Sequence, residues 1–225
     1  MEPLQFIRAL QVVDSFFPVG AFAYSDGLET AASGGRVRDA VSLNEWMDHF
    51  LESVFVPCEG LALVKCMLAL KSGDLNMVSR VDGELTAIRP SAAVRKSSTA
   101  IGKRLISLYS SIYEGESAPW KTVALPHSNA AVANALIFFH CGIQVRDGAL
   151  AFGYNRLTGI VSAGLRLISM GQQEGQALLA ENLKRLPDAV DRILQMTDQP
   201  LRSFNPLLDI EQMNHQYVYS RLFRS

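Results

Sequence analysis

With 225 residues, 48% hydrophobic and 19% charged, the chain is long enough to bury a full core and too apolar to stay disordered. Its 21 Lys and Arg against 22 Asp and Glu give a net charge of -1. That excludes the basic excess that phosphate neutralisation needs, so nucleic acid is not expected as a partner.

The first ten residues, MEPLQFIRAL, place an acid ahead of the first base, unlike a secretory signal. The longest candidate membrane stretch, Ala130 to Phe139, is interrupted by Asn134 and is far shorter than the roughly 20 residues that span hydrocarbon. A cytoplasmic protein with no membrane partner is expected. Cys58, Cys66 and Cys141 form no C-x-x-C pair, and their odd number suits buried thiols in a reducing compartment.

In chain order, an apolar first helix leads into DSFFPVGAFAYSDGLE, Asp14 to Glu29. Pro18 ends the helix, Gly20 and Gly27 permit backbone conformations that side chains forbid, and Phe16, Phe17, Phe22 and Tyr24 are expected to anchor the loop. From Ser42, SLNEWMDHFLESVFV places Leu43, Trp46, Met47, Phe50, Leu51 and Val54 on one helical stripe. Ser42 and Glu45 fit a capping box at its start. A second helix, GLALVKCMLAL, is expected after Pro57 and stops near Gly73. Asp74 caps a third, which carries Leu75, Val78, Val81 and Leu85 on one side until Arg89-Pro90 ends it.

Ser91 opens a long helix with Val94, Ser98, Ile101, Leu105, Leu108 and Ile112 facing the core, where only Ser98 breaks the apolar stripe. Arg95, Lys96, Lys103 and Arg104 read as its solvated face. EGESAPWK, Glu114 to Lys121, is the best internal break, yet both flanks read as helical and alike in charge, so one domain is expected. His127 to Phe139 is apolar enough to be buried all round, Leu157 to Ile168 forms another helix before Met170-Gly171, and Pro187 breaks the next before Asp188 to Met196. Without sustained period-two alternation or hairpin turns, the fold class is all-α: a single-domain bundle of roughly eight to ten helices.

No phosphate loop, H-E-x-x-H, C-x-x-C, G-x-S-x-G or magnesium-holding aspartate cluster occurs. His49, His127, His140 and His215 are scattered. His140 and Cys141 are adjacent, and adjacent helical residues point in different directions. These exclusions direct attention to surfaces rather than to a catalytic pocket.

Phe17, Pro18, Val19, Gly20, Ala21, Phe22, Ala23, Tyr24, Ser25, Asp26, Gly27, Leu28 and Glu29 resemble the N-terminal signature of the UreF family of urease accessory proteins, with Ala21 where the family usually has Gly. HSNAAVANALIFFHCGI resembles its histidine-led buried helix, departing at Asn129 to Asn134, and RLISMGQQEGQ resembles its Leu-Gly-Gln-x-x-Gly-Gln turn. Pro206, Leu208, Asp209, Ile210, His215, Tyr219 and RLFRS at the end resemble its C-terminus. The resemblance spans Leu10 to Ser225.

It implies an all-helical, non-enzymatic urease-maturation chaperone that forms a homodimer. Such a protein binds a UreD/UreH-type accessory protein and, with it, recruits the GTPase UreG to apo-urease, regulating GTP hydrolysis or nickel release. Nickel and GTP are then handled by the partner complex, with no tightly bound cofactor and no metal site in this chain. Residues 1–202 form the UreF-like helical domain, and residues 203–225 a partner-docking tail of the same domain.

By the same resemblance, Ser25, Glu29 and Arg166 face the GTPase. Phe204, Pro206, Asp209, His215, Tyr219, Arg221, Leu222, Phe223 and Arg224 dock the accessory partner, in a tail expected to be mobile in the isolated chain; Aromatic and Arg side chains together are typical of interface hot spots. Pro18, Gly20, Gly27, His127, Gly171, Gln172 and Gln176 are expected to be structural or to line a nickel channel. Structural alternatives stand beside these roles. Glu29 fits a first-turn acid, worth about 0.3–1 kcal/mol, Arg166 a solvated cation, and the tail a segment packed on its own core. Two other functions stay open: a metallochaperone using His127, His140, Cys141 and His215, and an all-α enzyme of unknown reaction.

Overall fold

The longest rod starts where Asp39 and Ser42 close a reciprocal cap. The Asp39 carboxylate accepts from the Ser42 amide at 2.9 Å, and the Ser42 hydroxyl accepts from the Asp39 amide at 3.1 Å. This cap replaces the Ser42–Glu45 box expected from sequence, because the helix begins earlier, at Ala40. The rod then runs without a stop through α3 (Ala40–Phe50), a π-helical stretch (Leu51–Glu59) and α4 (Gly60–Ser72). Pro57, expected to break the helix, lies inside the π-helical stretch, where its missing N–H is absorbed by the widened turns. Gly73, at φ 79°, ends the rod.

The computed structural model describes residues 3–113 and 118–224. Of the expected break at Glu114 to Lys121, positions 114–117 lie outside the described residues, as does Ser225, while Pro119–Lys121 form a 3-10 turn. The remaining helices are α1 (Pro3–Val13), α2 (Leu28–Ser33), α5 (Leu75–Ala87), α6 (Ala92–Ile112), α7 (Ala130–His140), α8 (Val145–Leu167), α9 (Gln172–Leu183), α10 (Leu186–Gln195) and α11 (Pro206–Asn214). Among the described residues there is no strand, and the fold is the expected all-α, single-domain bundle.

Its centre is α4 against α7, with α6 on α7, α5 on α4, and α8 and α10 closing the other side. Every residue of α7 from Ala131 to Phe138 is buried, as the all-round apolar pattern requires. Each fully buried Leu, Val or Phe contributes about 1.5–3 kcal/mol relative to exposure. The α6–α7 crossing depends on Gly102: a Cβ there would lie 1.9 Å from the Ser128 carbonyl oxygen. The longest apolar helix by hydropathy is Ala40–Ser72 rather than the α7 region, and it is mostly buried within the fold.

Polar groups inside the bundle fix its loops. Asp82 of α5, fully buried, accepts the backbone N–H groups of His127, Ser128 and Asn129 at 2.7–2.8 Å. It thereby caps the start of α7 from another helix. Asn129 bonds the Thr86 hydroxyl and accepts from Ser98 at 3.1 Å, which explains why a serine breaks the stripe of α6. His127 meets Asp82 through its backbone N–H.

Candidate functional site

The Asp14 to Glu29 loop is shaped by two turns that favour glycine: Gly20 at φ 80° precedes a 3-10 turn, and Gly27 at φ 93° starts α2. A Cβ on Gly27 would also lie 3.0 Å from Gln212 Cγ, so the same glycine lets α11 approach. Phe17 is buried, whereas Phe16 is 91% exposed and anchors nothing, contrary to expectation. Its amide instead bonds the Asp14 carboxylate at 2.6 Å. Pro18 lies beyond the helix end, which falls at Val13, and its carbonyl accepts from Arg104 Nε at 2.7 Å.

Ser25 and Glu29, expected as a surface pair, are both buried. The reason is the C-terminal segment. Glu29 Oε2 bonds His215 Nε2 at 2.6 Å and accepts from the Phe223 amide at 3.3 Å, while Oε1 accepts from the Leu222 amide at 2.5 Å. Ser25 Oγ accepts from the Glu29 amide at 3.4 Å. One carboxylate therefore clamps the far end of the chain onto the start of α2.

That end, expected to be mobile, is folded against the core. Asn205 caps α11, with Pro206 in its first turn, and the Arg202 amide bonds the Pro57 carbonyl at 3.0 Å. Phe223 is buried under the Arg166 guanidinium, 4.2 Å from its ring centroid, and the Arg224 amide bonds the Ala23 carbonyl at 2.7 Å. Exposed Arg166 also donates to the Phe22 carbonyl at 3.0 Å. Burial moves its pKa below the ordinary arginine value, and the stacking on Phe223 is a cation–π contact.

The tail residues divide into two sets. His215 and Phe223 are buried, and Asp209 is half-buried, with burial raising its carboxyl pKa. Phe204, Pro206, Tyr219, Arg221, Leu222 and Arg224 are exposed, as are Leu207, Ile210 and Tyr217. Exposed large apolar side chains gathered on one short segment are a mark of protein interaction sites.

An ion cluster, buried at Glu59 and Arg89 and half-buried at Arg156 and Asp26, lies beneath the loop. Arg156 of α8 donates to Glu59 Oε2 at 2.9 Å and to Asp26 Oδ2 at 2.6 Å, and Arg89 donates to Glu59 Oε1 at 2.6 Å. Burial alone would lower the Arg156 pKa, but Glu59 and Asp26 outweigh it and hold the guanidinium charged. Beside it opens a cavity of about 400 Å³. Gln172 and Gln176 line neither this cavity nor a buried backbone group; both are exposed, and Gly171 is the N-cap of α9. The two glutamines thus lie on the surface rather than in the channel-lining position expected of them.

The four candidate metal ligands do not converge. His215 is held by Glu29, and His127 sits at Asp82 through its backbone. His140 Nδ1 and Cys141 Sγ both lie 3.2 Å from the Tyr109 hydroxyl. That shared partner is possible because Cys141 already caps the helix, so the pair does not diverge as regular helical neighbours do. No group of three or more His, Cys, Asp or Glu residues placed to hold a metal occurs among the described residues.

Sequence reading missed Asp82, Glu59, Arg89 and Arg156, which belong to no motif. A signal existed for one of them: Asp82 falls on the same helical stripe as Val78 and Leu85, where a charge is buried unless the stripe is misassigned.

Fold and site together define a helical protein whose two chain ends are knitted into one surface of aromatic, aliphatic and arginine side chains. The UreF family model matches residues 37–183. The chain is 31% identical to the urease accessory protein UreF of Microcystis aeruginosa over all of both chains. It is 32% identical to that of Pseudomonas putida strain W619 over 99% of this chain and 98% of the relative. The chain belongs to the UreF family.

Proposed function

We propose that this chain is a non-enzymatic scaffold of urease maturation in the cytoplasm. It brings a UreD/UreH-type accessory protein and the nickel-carrying GTPase UreG onto apo-urease and regulates GTP hydrolysis or nickel release there. The observation that carries this reading is the Glu29 clamp, which fixes the C-terminal segment against the loop so that Phe22, Arg166, Leu222 and Arg224 share one face. In this reading Arg166 meets the GTPase directly, whereas Ser25 and Glu29 act by shaping the backbone beside it. Phe204, Leu207, Ile210 and Tyr219 dock the accessory protein from the exposed side of the segment.

The test is size-exclusion chromatography with light scattering on the chain mixed with its accessory partner and then with the GTPase. Stepwise growth is expected. Phe204→Ser with Tyr219→Ala should remove the first step, and Arg166→Ala only the second. Failure of the wild-type chain to form either complex with folded partners would sink the proposal.

A further inference from the structure

The cavity beside the ion cluster is too large to be a packing defect. Protein interiors leave few voids bigger than a water molecule, and its volume of about 400 Å³ lies within the range of about 300–1,000 Å³ typical of small-molecule sites. Its wall has two chemically distinct parts. Leu10, Phe22 and Tyr154, each more than 40% exposed, stand among its lining residues and give it an apolar mouth. Ile101, Leu105 and Phe152 continue that character inward.

The inner end is polar but carries no net charge. Asp26 and Glu59 balance Arg89 and Arg156, and each carboxylate is already bonded to a guanidinium. At this end a divalent cation would have to displace an arginine from its carboxylate, and an anion would meet two fixed carboxylates; both lose more than they gain. The remaining lining carboxylate, Asp14, is exposed and accepts from the Phe16 amide. A neutral polar group meets no such penalty. Thr158 is among the lining residues, and its hydroxyl, shielded in the fold, has no hydrogen-bond partner of its own.

We infer that this cavity is a binding site for a small neutral amphiphile, with an apolar body held between α6 and α8 and a hydroxyl, carbonyl or amide head directed at Thr158 and the ion cluster. The inference is independent of the scaffold role.

The probe is N-phenyl-1-naphthylamine, a neutral fluorophore, titrated into the full-length chain, with its sulfonated anionic analogue as the comparison. Saturable binding of one neutral dye per chain is expected, with the anionic dye at least about tenfold weaker. Ile101→Trp, which fills the cavity, should weaken the neutral dye by at least about tenfold while far-UV circular dichroism is unchanged. Ala131→Leu fills it from the α7 wall and takes its place if Ile101→Trp does not fold. Phe204→Ser, on the exposed C-terminal segment, should leave binding intact. Absence of saturable binding, indifference to both filling substitutions, loss with Phe204→Ser, or equal affinity for the two dyes would each overturn the assignment.

Discussion

The Glu29 carboxylate and the Leu222 amide are joined at 2.5 Å although they stand 193 positions apart in the chain. Glu29→Ala would leave the His215 ring and two backbone N–H groups without their acceptor in a buried site. Each such loss costs about 1–3 kcal/mol. The melting temperature should fall by several degrees, and the Leu222 and Phe223 amides should exchange hydrogen much faster than in the wild type. Unchanged exchange at those amides would show that the clamp does not order the segment.

Arg156 bridges two helices and the loop, and its loss would leave Glu59 with Arg89 alone and take the guanidinium away from Asp26. Removing one partner of a buried ion pair is worth on the order of 3 kcal/mol, so Arg156→Ala should show that loss in urea unfolding. Arg156→Lys keeps the charge but not the two-pronged geometry, and should fall between the two. Equal stability of Arg156→Lys and the wild type would mean that charge alone suffices.

Two glycines should respond in opposite directions. Gly102→Ala pushes a methyl into the Ser128 carbonyl and should destabilise by about 1–3 kcal/mol. Gly83, inside α5 with open space around its missing Cβ, should gain about 0.5–1 kcal/mol as alanine. Chemical denaturation of both variants measures the contrast directly.

All three cysteines are buried. Burial pushes the Cys58 thiol up to about 11 and raises Cys66 further, so neither is a thiolate at neutral pH. Iodoacetamide at pH 8 should leave both unmodified in the folded chain and label them in urea, as read by mass spectrometry. Rapid native labelling would mean that the core opens readily.

The helices were legible where a periodic stripe met a strong cap, as at Asp74 and Ser91, whose side chains accept the expected amides. Pro57 misled because a local rule about proline ignores the π-helical turn that accommodates it. The two ends of the site could be named by resemblance, but not their burial. Glu29 looks like an exposed first-turn acid until the residues that cover it arrive from the other end of the chain, and no local pattern reports contacts of that range. Asp82 shows the same limit: its three amide partners lie in a loop more than forty positions away.

The clamp also bears on how genetic dissection of this family member is designed. Deleting residues 203–225 removes not just a docking segment but the partners of a buried carboxylate, and uncovers the apolar side of α2 with it. A truncated chain that fails in assembly would therefore report misfolding and lost recognition in the same assay. Single changes at Phe204 or Tyr219, whose side chains face solvent, separate the two.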